Sequence, residues 1–263
     1  MENRGTTMAR RPRIDIPGYH HIVNRGVNRT DIFSADSDKE KFLQILCKAC
    51  RVYGVVVHDY CLMDNHYHLL IENSQENLPL FMRQVNANYA IYYNKKTKRI
   101  GHLWQGRYSS WYIHGEDYLY RTIKYIEFNP IEAQMVESVR AYPYTLGSLL
   151  LNGETIPHCA EASMLVTQYD AEDLAAYLEE PLSKEEIADL HTQRKKIITI
   201  ENKEVKHKEK KKLEYYFDTS MSKESRNKAV YEAYMDGHTQ LSIAKHLGLS
   251  DAMISIIIKK FKI

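Results

Sequence analysis

The stretch YCLMDNHYHLLIE, residues 60–72, is typical of a β-hairpin. Its apolar first half predicts one strand, Asp64-Asn65 predicts a turn, and HYHLLIE predicts the second strand. Alternate side chains of a strand share a face, so His66 and His68 are expected on one face, roughly 6–7 Å apart. Two imidazoles at this spacing can bind one metal ion.

Further strands and helices are predicted on both sides of the hairpin from hydrophobic periodicity and turn residues. In chain order they are a strand over 19–26, a helix from Asp38 that Gly54 breaks, strands over 55–63 and 66–72, a helix from Pro79 to the lysines at 95–98, a strand over 102–113, and a helix from Glu116 to Asn129. The order β-α-β-β-α-β is that of the split β-α-β, ferredoxin-like arrangement. We therefore predict an α+β fold, with an antiparallel sheet that carries helices on one face. The third helix is additional, and we expect it near the sheet face with the histidines.

The character of the sequence changes after residue 150. We predict three parts: a sheet domain over 1–150, a helical, lysine-rich connector over 151–220, and an all-α helix-turn-helix domain over 221–263.

The helix-turn-helix prediction rests on HTQLSIAKHLGLSDAMISIIIKKF, residues 238–261. Ala244 allows close helix packing, Gly248 forms the turn and Ser250 caps the second helix. In such a motif the second helix contacts a major groove of duplex DNA. The residues predicted at that contact are Ser250, Asp251, Ser255 and Lys259. The apolar run ISIII also fits a protein-contact role.

Composition places few limits on the function. The 263 residues are 44% hydrophobic, enough for a substantial core, and the net charge of +2 does not by itself indicate nucleic acid. Basic residues are nevertheless concentrated near 4–29, 95–99 and 194–212. Such clusters can bind phosphates, although a solvated charged face is the commoner explanation of any single one.

The four cysteines are Cys47, Cys50, Cys61 and Cys159. Cys47 and Cys50 form a C-x-x-C pattern inside a predicted helix, and no second pair completes a zinc site. We expect buried structural thiols in a reducing compartment. No apolar stretch approaches the ~20 residues that cross a membrane, and no signal peptide is visible. These observations predict a cytoplasmic protein without a membrane partner.

The segment RTIKYIEFNP places Tyr125 and Asn129 four residues apart on the third helix, and hence on one face. Two imidazoles and an amide oxygen suit loosely bound Mg²⁺ or Mn²⁺, with positions left for phosphate oxygens. A phenol has a pKa of about 10, so a phenolate can attack phosphorus and can also depart from it. These residues fit covalent cleavage of a phosphodiester. The spacing alone also fits a packing role for Tyr125.

YCLMDNHYHLLIE and YIEFNPIEAQMV together resemble the single-tyrosine HUH transposases, in particular the REP-associated tyrosine transposases of IS200-like type. HUH denotes two histidines around a bulky hydrophobic residue, here residues 66–68. YHHIVNRGVNRTDIF and LWQGRYSS add to the resemblance, which covers residues 12–146. It implies that Tyr125 is the nucleophile and that His66, His68 and Asn129 bind the metal.

The resemblance also implies a substrate. Enzymes of this family cut single-stranded DNA beside an imperfect palindromic hairpin, leaving a 5′-phosphotyrosine and a free 3′-hydroxyl. Arg25, Asn28 and Arg29 become candidates for contact with a short guide sequence next to the hairpin. A monomer and a homodimer both fit the sequence.

Two other functions fit the same residues. A catalytically idle, domesticated scaffold would act as a DNA-binding regulator. A phosphodiesterase would use metal-activated water and leave Tyr125 structural. The intact set of Tyr125, His66, His68 and Asn129 favours a DNA strand transferase.

Overall fold

The computed structural model describes residues 15–200, 212–217, 221–235, 238 and 240–261. The chain divides into two units, Met1–Lys203 and Glu204–Ile263, and each has its own hydrophobic core. In the first unit the strands are β1 Gly18–Arg25, β2 Val55–Met63, β3 His66–Asn73 and β4 Ser109–Tyr112. Its helices are α1 Asp36–Tyr53, α2 Leu78–Thr97, α3 Glu116–Glu127, α4 Asn129–Glu132, α5 Leu146–Leu151, α6 Met164–Gln168, α7 Ala171–Tyr177 and α8 Lys184–Ile200.

The four strands form one antiparallel sheet in the order β2-β3-β1-β4. With α1 between β1 and β2, and α2 between β3 and β4, this is the ferredoxin-like topology that the sequence predicts. The β1–β3 register places Arg25 opposite His66 and Val23 opposite His68. Cross-strand partners share a face, so β1 contributes side chains to the face that carries both histidines.

Different helices cover the two faces of the sheet. On one face the ring of Tyr67 packs against Phe42 of α1, with ring centroids 4.7 Å apart. On the other face α3 lies against β2 and β3, and the ring of Tyr125 comes within 5.8 Å of that of His68. Adjacent residues of a strand point to opposite faces, so α1 and α3 lie on opposite sides of the sheet. The expected position of the third helix is confirmed.

The ends of α1 follow from one side chain and a glycine. The helix begins at Asp36, and the carboxylate of Asp38 accepts hydrogen bonds from the backbone N–H groups of Ser34 and Ala35. Gly54 ends the helix with a φ of 64°, a left-handed conformation that glycine adopts without strain.

Two of the element boundaries predicted from the sequence are wrong. The fourth strand covers only Ser109–Tyr112 instead of 102–113, because Trp104 pairs only with Gly26, where β1 ends and the chain turns. The third helix ends at Glu127 instead of Asn129, and Asn129 begins the short helix α4. Pro130 lies in the first turn of α4, where a missing N–H costs nothing.

Residues 151–200 belong to the first unit and do not form a separate connector. Residues Met164, Leu165, Leu174, Leu178 and Leu190 are buried in the core of the first unit. The division between the two units therefore falls near residue 203 and not at the predicted 150.

The prediction of four thiols is wrong for two of the cysteines. Cys47 of α1 and Cys159 form a disulfide, with Cα atoms 4.9 Å apart. Cys50 and Cys61 are buried free thiols as expected, and burial raises the pKa of Cys50 to about 12. Within the described residues, no helix is both long and apolar enough to cross a membrane.

The second unit contains the helices α9 Lys223–Met235, α10 Gln240–Leu247 and α11 Asp251–Phe261. Gly248, with a φ of 65°, lies in the turn between α10 and α11. The hydroxyl oxygen of Ser250 accepts a hydrogen bond from the N–H of Met253 at 3.4 Å, so Ser250 caps α11 as predicted. Ala244 and Ile254 are buried in the core of this unit.

A buried pair of carboxyl groups connects α3 to β2. Asp59 and Glu127 are almost fully buried, and Glu127 also accepts a hydrogen bond from the N–H of Gly147 at 2.6 Å. Oδ2 of Asp59 and Oε2 of Glu127 are buried without a hydrogen-bond donor, which a proton shared between the two groups would supply. Burial raises the pKa of both groups, and the charge of Glu127 raises that of Asp59 further. The pair therefore retains a proton in the folded chain.

We expect Asp59→Asn to remove a pH-dependent cost of folding, because its amide can donate to Glu127 in place of the shared proton. An acid with a raised pKa in the folded state must take up a proton on folding above the ordinary carboxyl pKa. The wild type should therefore lose stability relative to the variant as pH rises above about 4, by up to about 1.4 kcal/mol per pH unit. Urea denaturation from pH 5 to 8 measures this difference. If the free energy of unfolding changed with pH in the same way in the wild type and in Asp59→Asn, the shared proton would be contradicted.

Candidate functional site

The histidine face of the sheet brings together the residues predicted to act in catalysis. The rings of His66 and His68 have centroids 5.1 Å apart, and the ring of Tyr125 lies 5.8 Å from that of His68. His68 is buried, whereas His66 and Tyr125 are partly exposed. Asn129 follows one helical turn after Tyr125, and its amide nitrogen donates to the backbone oxygen of Tyr125. One chain thus assembles both histidines and the tyrosine.

A third histidine, His21 of β1, completes the cluster and was not predicted. Its Nε2 lies 3.0 Å from Nδ1 of His68, and its ring lies 5.9 Å from that of Tyr125. The segment YHHIVNRG contains it, but two adjacent histidines point to opposite faces. Only the register between β1 and β3 shows which of the two reaches the site.

Helix α8 adds two residues that sequence reasoning missed. The guanidinium of Arg194 donates to Nδ1 of His21 at 2.9 Å and lies 4.6 Å from the ring centroid of Tyr125. It also lies 4.7 Å from the ring centroid of Trp111. The ring of His191 is 6.0 Å from that of Tyr125. Arg194 is the first residue of the basic cluster 194–212, which was expected in a connector. Its side chain is nevertheless buried, with 7% of its surface exposed.

Hydrogen bonds define which ring nitrogens are free. Nδ1 of His66 lies 2.8 Å from the amide oxygen of Asn65, which only accepts, so His66 presents Nε2 without a proton. A guanidinium only donates, so the proton of His21 lies on Nε2 and is donated to Nδ1 of His68. The proton of a neutral His68 then lies on its own Nε2. His68 can bind a metal there only when this chain of hydrogen bonds reverses.

The donor atoms fit a hard divalent ion by type. They are Nε2 of His66, the amide oxygen of Asn129 and, after that reversal, Nε2 of His68. Among the described side chains, no three His, Cys, Asp or Glu groups are arranged to hold a metal. Asn129 is the member of the predicted set that offers an oxygen ligand.

Burial keeps the three imidazoles neutral. It lowers the pKa of His66 to about 4, with a contribution from the charge of Arg25. Burial likewise lowers the pKa of His21 and His68 well below the ordinary value, and Arg194 contributes to both. Neutral imidazole is the form that binds metal ions.

The predicted DNA contacts lie in three places. Arg25 is partly exposed beside His66, at the end of β1. Asn28 and Arg29 are exposed, with positive φ values of 52° and 57°, in the short 3-10 turn Val27–Arg29. In the second unit Ser250 is exposed at the start of α11. The side chains of Asp251, Ser255 and Lys259 lie outside the described part of the structure.

The comparisons with known proteins give a family match and two similar structures. Residues 17–129 match the family described as IS200-like transposases, from β1 to the first residue of α4. Over these residues the chain is similar to that family. The match contains His21, His66, His68, Tyr125 and Asn129 and ends before α8.

Two solved structures are similar to the chain. One is a REP-associated tyrosine transposase bound to a REP hairpin, with 16% identity, a TM-score of 0.46, and coverage of 63% of this chain and 96% of that chain. The other is described as a transposase from Deinococcus radiodurans, with 15% identity, a TM-score of 0.33, and coverage of 51% and 92%. No curated protein matches the sequence.

The proximity of Arg25 to His66 can be tested by titration. We expect Arg25→Met to raise the pKa of His66 from about 4, because it removes the nearby positive charge and leaves the burial. NMR of ¹⁵N-labelled histidine side chains measures this pKa. Arg29→Met is the matched control, since Arg29 is exposed on the turn and should leave His66 unchanged. An unchanged pKa in Arg25→Met would contradict the arrangement.

Proposed function

We propose that the chain is a transposase that cleaves and rejoins single-stranded DNA beside palindromic hairpins, with Tyr125 as the nucleophile. The match of residues 17–129 to a family of transposases supports the general role. The observation that carries the specific chemistry is the packing of Tyr125 against His68 on the histidine face. A tyrosine in this position is next to any phosphate that a metal on His66 and His68 would hold.

The reaction exchanges one phosphodiester for another. The phenol oxygen of Tyr125 attacks phosphorus, and the bond from phosphorus to the 3′-oxygen breaks. The proton lost by the phenol is balanced by the proton that the departing 3′-oxygen takes up. The products are a 5′-phosphotyrosine and a free 3′-hydroxyl, and attack by a 3′-hydroxyl reverses the step and joins strands.

His66, His68 and Asn129 are the proposed ligands of Mg²⁺ or Mn²⁺. The bound ion would polarise the scissile phosphate and stabilise the charge that develops on its oxygens. The protein's own contribution is to orient His66 through Asn65 and to bring Tyr125 to the same face.

DNA contacts are proposed on both units. Arg25, Asn28 and Arg29 would contact the guide sequence, because Arg25 is beside His66 and the other two are exposed on the adjoining turn. In the second unit the turn around Gly248 and the Ser250 cap support duplex DNA binding through α11. A cytoplasmic location and the choice between monomer and homodimer stay predictions.

An adduct assay tests the proposal. The protein is incubated with labelled single-stranded DNA that carries a palindromic hairpin from its own flanking region, with Mn²⁺ or Mg²⁺, and separated on a denaturing gel. We expect a labelled protein band that disappears with chelator and in Tyr125→Phe. Tyr120→Phe is the matched control, because Tyr120 lies on the same helix and its hydroxyl bonds to Gln168, away from the histidines.

Other outcomes of this assay would favour the other functions. Cleavage without an adduct, unchanged in Tyr125→Phe, would contradict tyrosine chemistry and indicate metal-activated water. Tight hairpin binding without cleavage, over several hairpins and both metals, would indicate a DNA-binding regulator.

The orientation of His66 gives a second prediction. We expect Asn65→Ala to weaken Mn²⁺ binding by about 10- to 100-fold, because His66 loses the acceptor that holds its ring. Asn65→Asp retains an acceptor and should keep at least the wild-type affinity. Isothermal titration calorimetry with Mn²⁺ measures both. Equal affinity in the wild type and Asn65→Ala would contradict His66 as a ligand oriented by Asn65.

A further inference from the structure

Arg194 is a buried cation, and the described side chains around its guanidinium are neutral. Its guanidinium lies against His21, His191 and the rings of Trp111 and Tyr125. Within the described part of the chain Arg194 forms no ion pair, and the buried hydroxyl of Tyr118, which also lies beside it, is neutral. A buried charge without a counter-charge is costly, and contact with aromatic faces offsets only part of that cost.

Other contacts hold α8 in place independently of the site. Arg121 of α3 forms an ion pair with Asp189 at 2.9 Å, and Leu190 is buried in the core. Asp189 and Leu190 lie about one turn before Arg194, so they fix the part of α8 that presents the guanidinium. Arg194 also lies outside the segment that matches the transposase family.

We infer that Arg194 is a phosphate-binding residue of the cleavage site, which exchanges His21 for the scissile phosphate when DNA enters. This inference rests on the proposed function. A phosphate that reacts with Tyr125 brings a negative charge beside the one cation that contacts the Tyr125 ring among the described residues. The planar guanidinium can bind two phosphate oxygens at once.

The exchange also agrees with the hydrogen bonds around His68. While Arg194 donates to His21, the chain of hydrogen bonds leaves a proton on Nε2 of His68. Once Arg194 turns to the phosphate, Nδ1 of His21 is free to take the proton that was on Nε2. Nε2 of His21 can then accept from Nδ1 of His68, whose proton moves there from Nε2, so that Nε2 of His68 becomes available. Binding of DNA would then prepare both the cation and the metal ligand.

A neutral phosphate analogue tests the contact. The cleavage position of a flanking-region hairpin oligonucleotide is first mapped with the wild type. The oligonucleotide is then made with a phosphodiester or an uncharged methylphosphonate at that position. Its dissociation constant is measured with Tyr125→Phe protein, which cannot react, alone and combined with Arg194→Met, Arg194→Lys or Arg121→Met.

We expect methylphosphonate to weaken binding to the Tyr125→Phe protein by about 10-fold, corresponding to one charge-assisted contact. In Arg194→Met this penalty should disappear, and Arg194→Lys should restore part of it. With Tyr125 intact, Arg194→Met should slow adduct formation on the phosphodiester by about 100-fold. Arg121→Met is the matched control. It removes the ion pair between Arg121 and Asp189 of α8 but keeps the guanidinium of Arg194, so the methylphosphonate penalty should remain.

Three outcomes would overturn the inference. The first is an equal methylphosphonate penalty with and without Arg194. The second is a loss in Arg121→Met as large as in Arg194→Met, which would make the effect one of helix docking. The third, which applies if Arg194→Met does not fold, is an Arg194→Lys protein whose methylphosphonate penalty is as large as that of the protein with Arg194. Absence of an adduct in the wild type would instead contradict the proposed function, and the inference that rests on it.

Discussion

The pairing of β3 with β1 in the middle of the sheet is the constraint on which the site depends. Its register places His66 opposite Arg25 and His68 opposite Val23, and it brings His21 within hydrogen-bond distance of His68. A slip of one residue would turn both motif histidines towards α1. The buried residue Tyr67 between them opposes such a slip, because its ring is packed against Phe42.

The covering of the histidine face by helices explains both its electrostatics and its reactivity. Helix α3 brings Tyr125 to the face, and α8 brings Arg194 and His191. This covering excludes water from the imidazoles, which keeps them neutral and fit to bind a metal. The same low-dielectric surroundings strengthen the interaction of a guanidinium with a phosphate. Among the described residues this face supplies no anion to Arg194, which agrees with the phosphate contact proposed for that residue.

Much of this arrangement could be predicted from local sequence. The hairpin at 60–72, the helix that carries Tyr125 and the four-residue step to Asn129 follow from periodicity and turn residues, and the strand order follows from the sequence of elements. Their metal and DNA roles stay predictions. The length of β4 could not be predicted, because it depends on where its partner β1 ends.

The missed residues share one physical cause, which is contact between distant parts of the chain. Arg194 and His21 are 173 residues apart, and Cys47 and Cys159 are 112 apart. Nothing in the local pattern of α8 indicates that its arginine turns inward, since a basic helix end usually faces solvent. The packing of α8 against α3, with Leu190 buried in the core, is what brings this arginine to the site.

The most direct test of the account is to identify the residue that becomes attached to DNA. The covalent complex is trimmed with nuclease, digested with trypsin and analysed by mass spectrometry. The account predicts a nucleotide on the peptide of residues 125–140, in which Tyr125 is the only tyrosine. A nucleotide on a peptide that contains any of the other 19 tyrosines would contradict it.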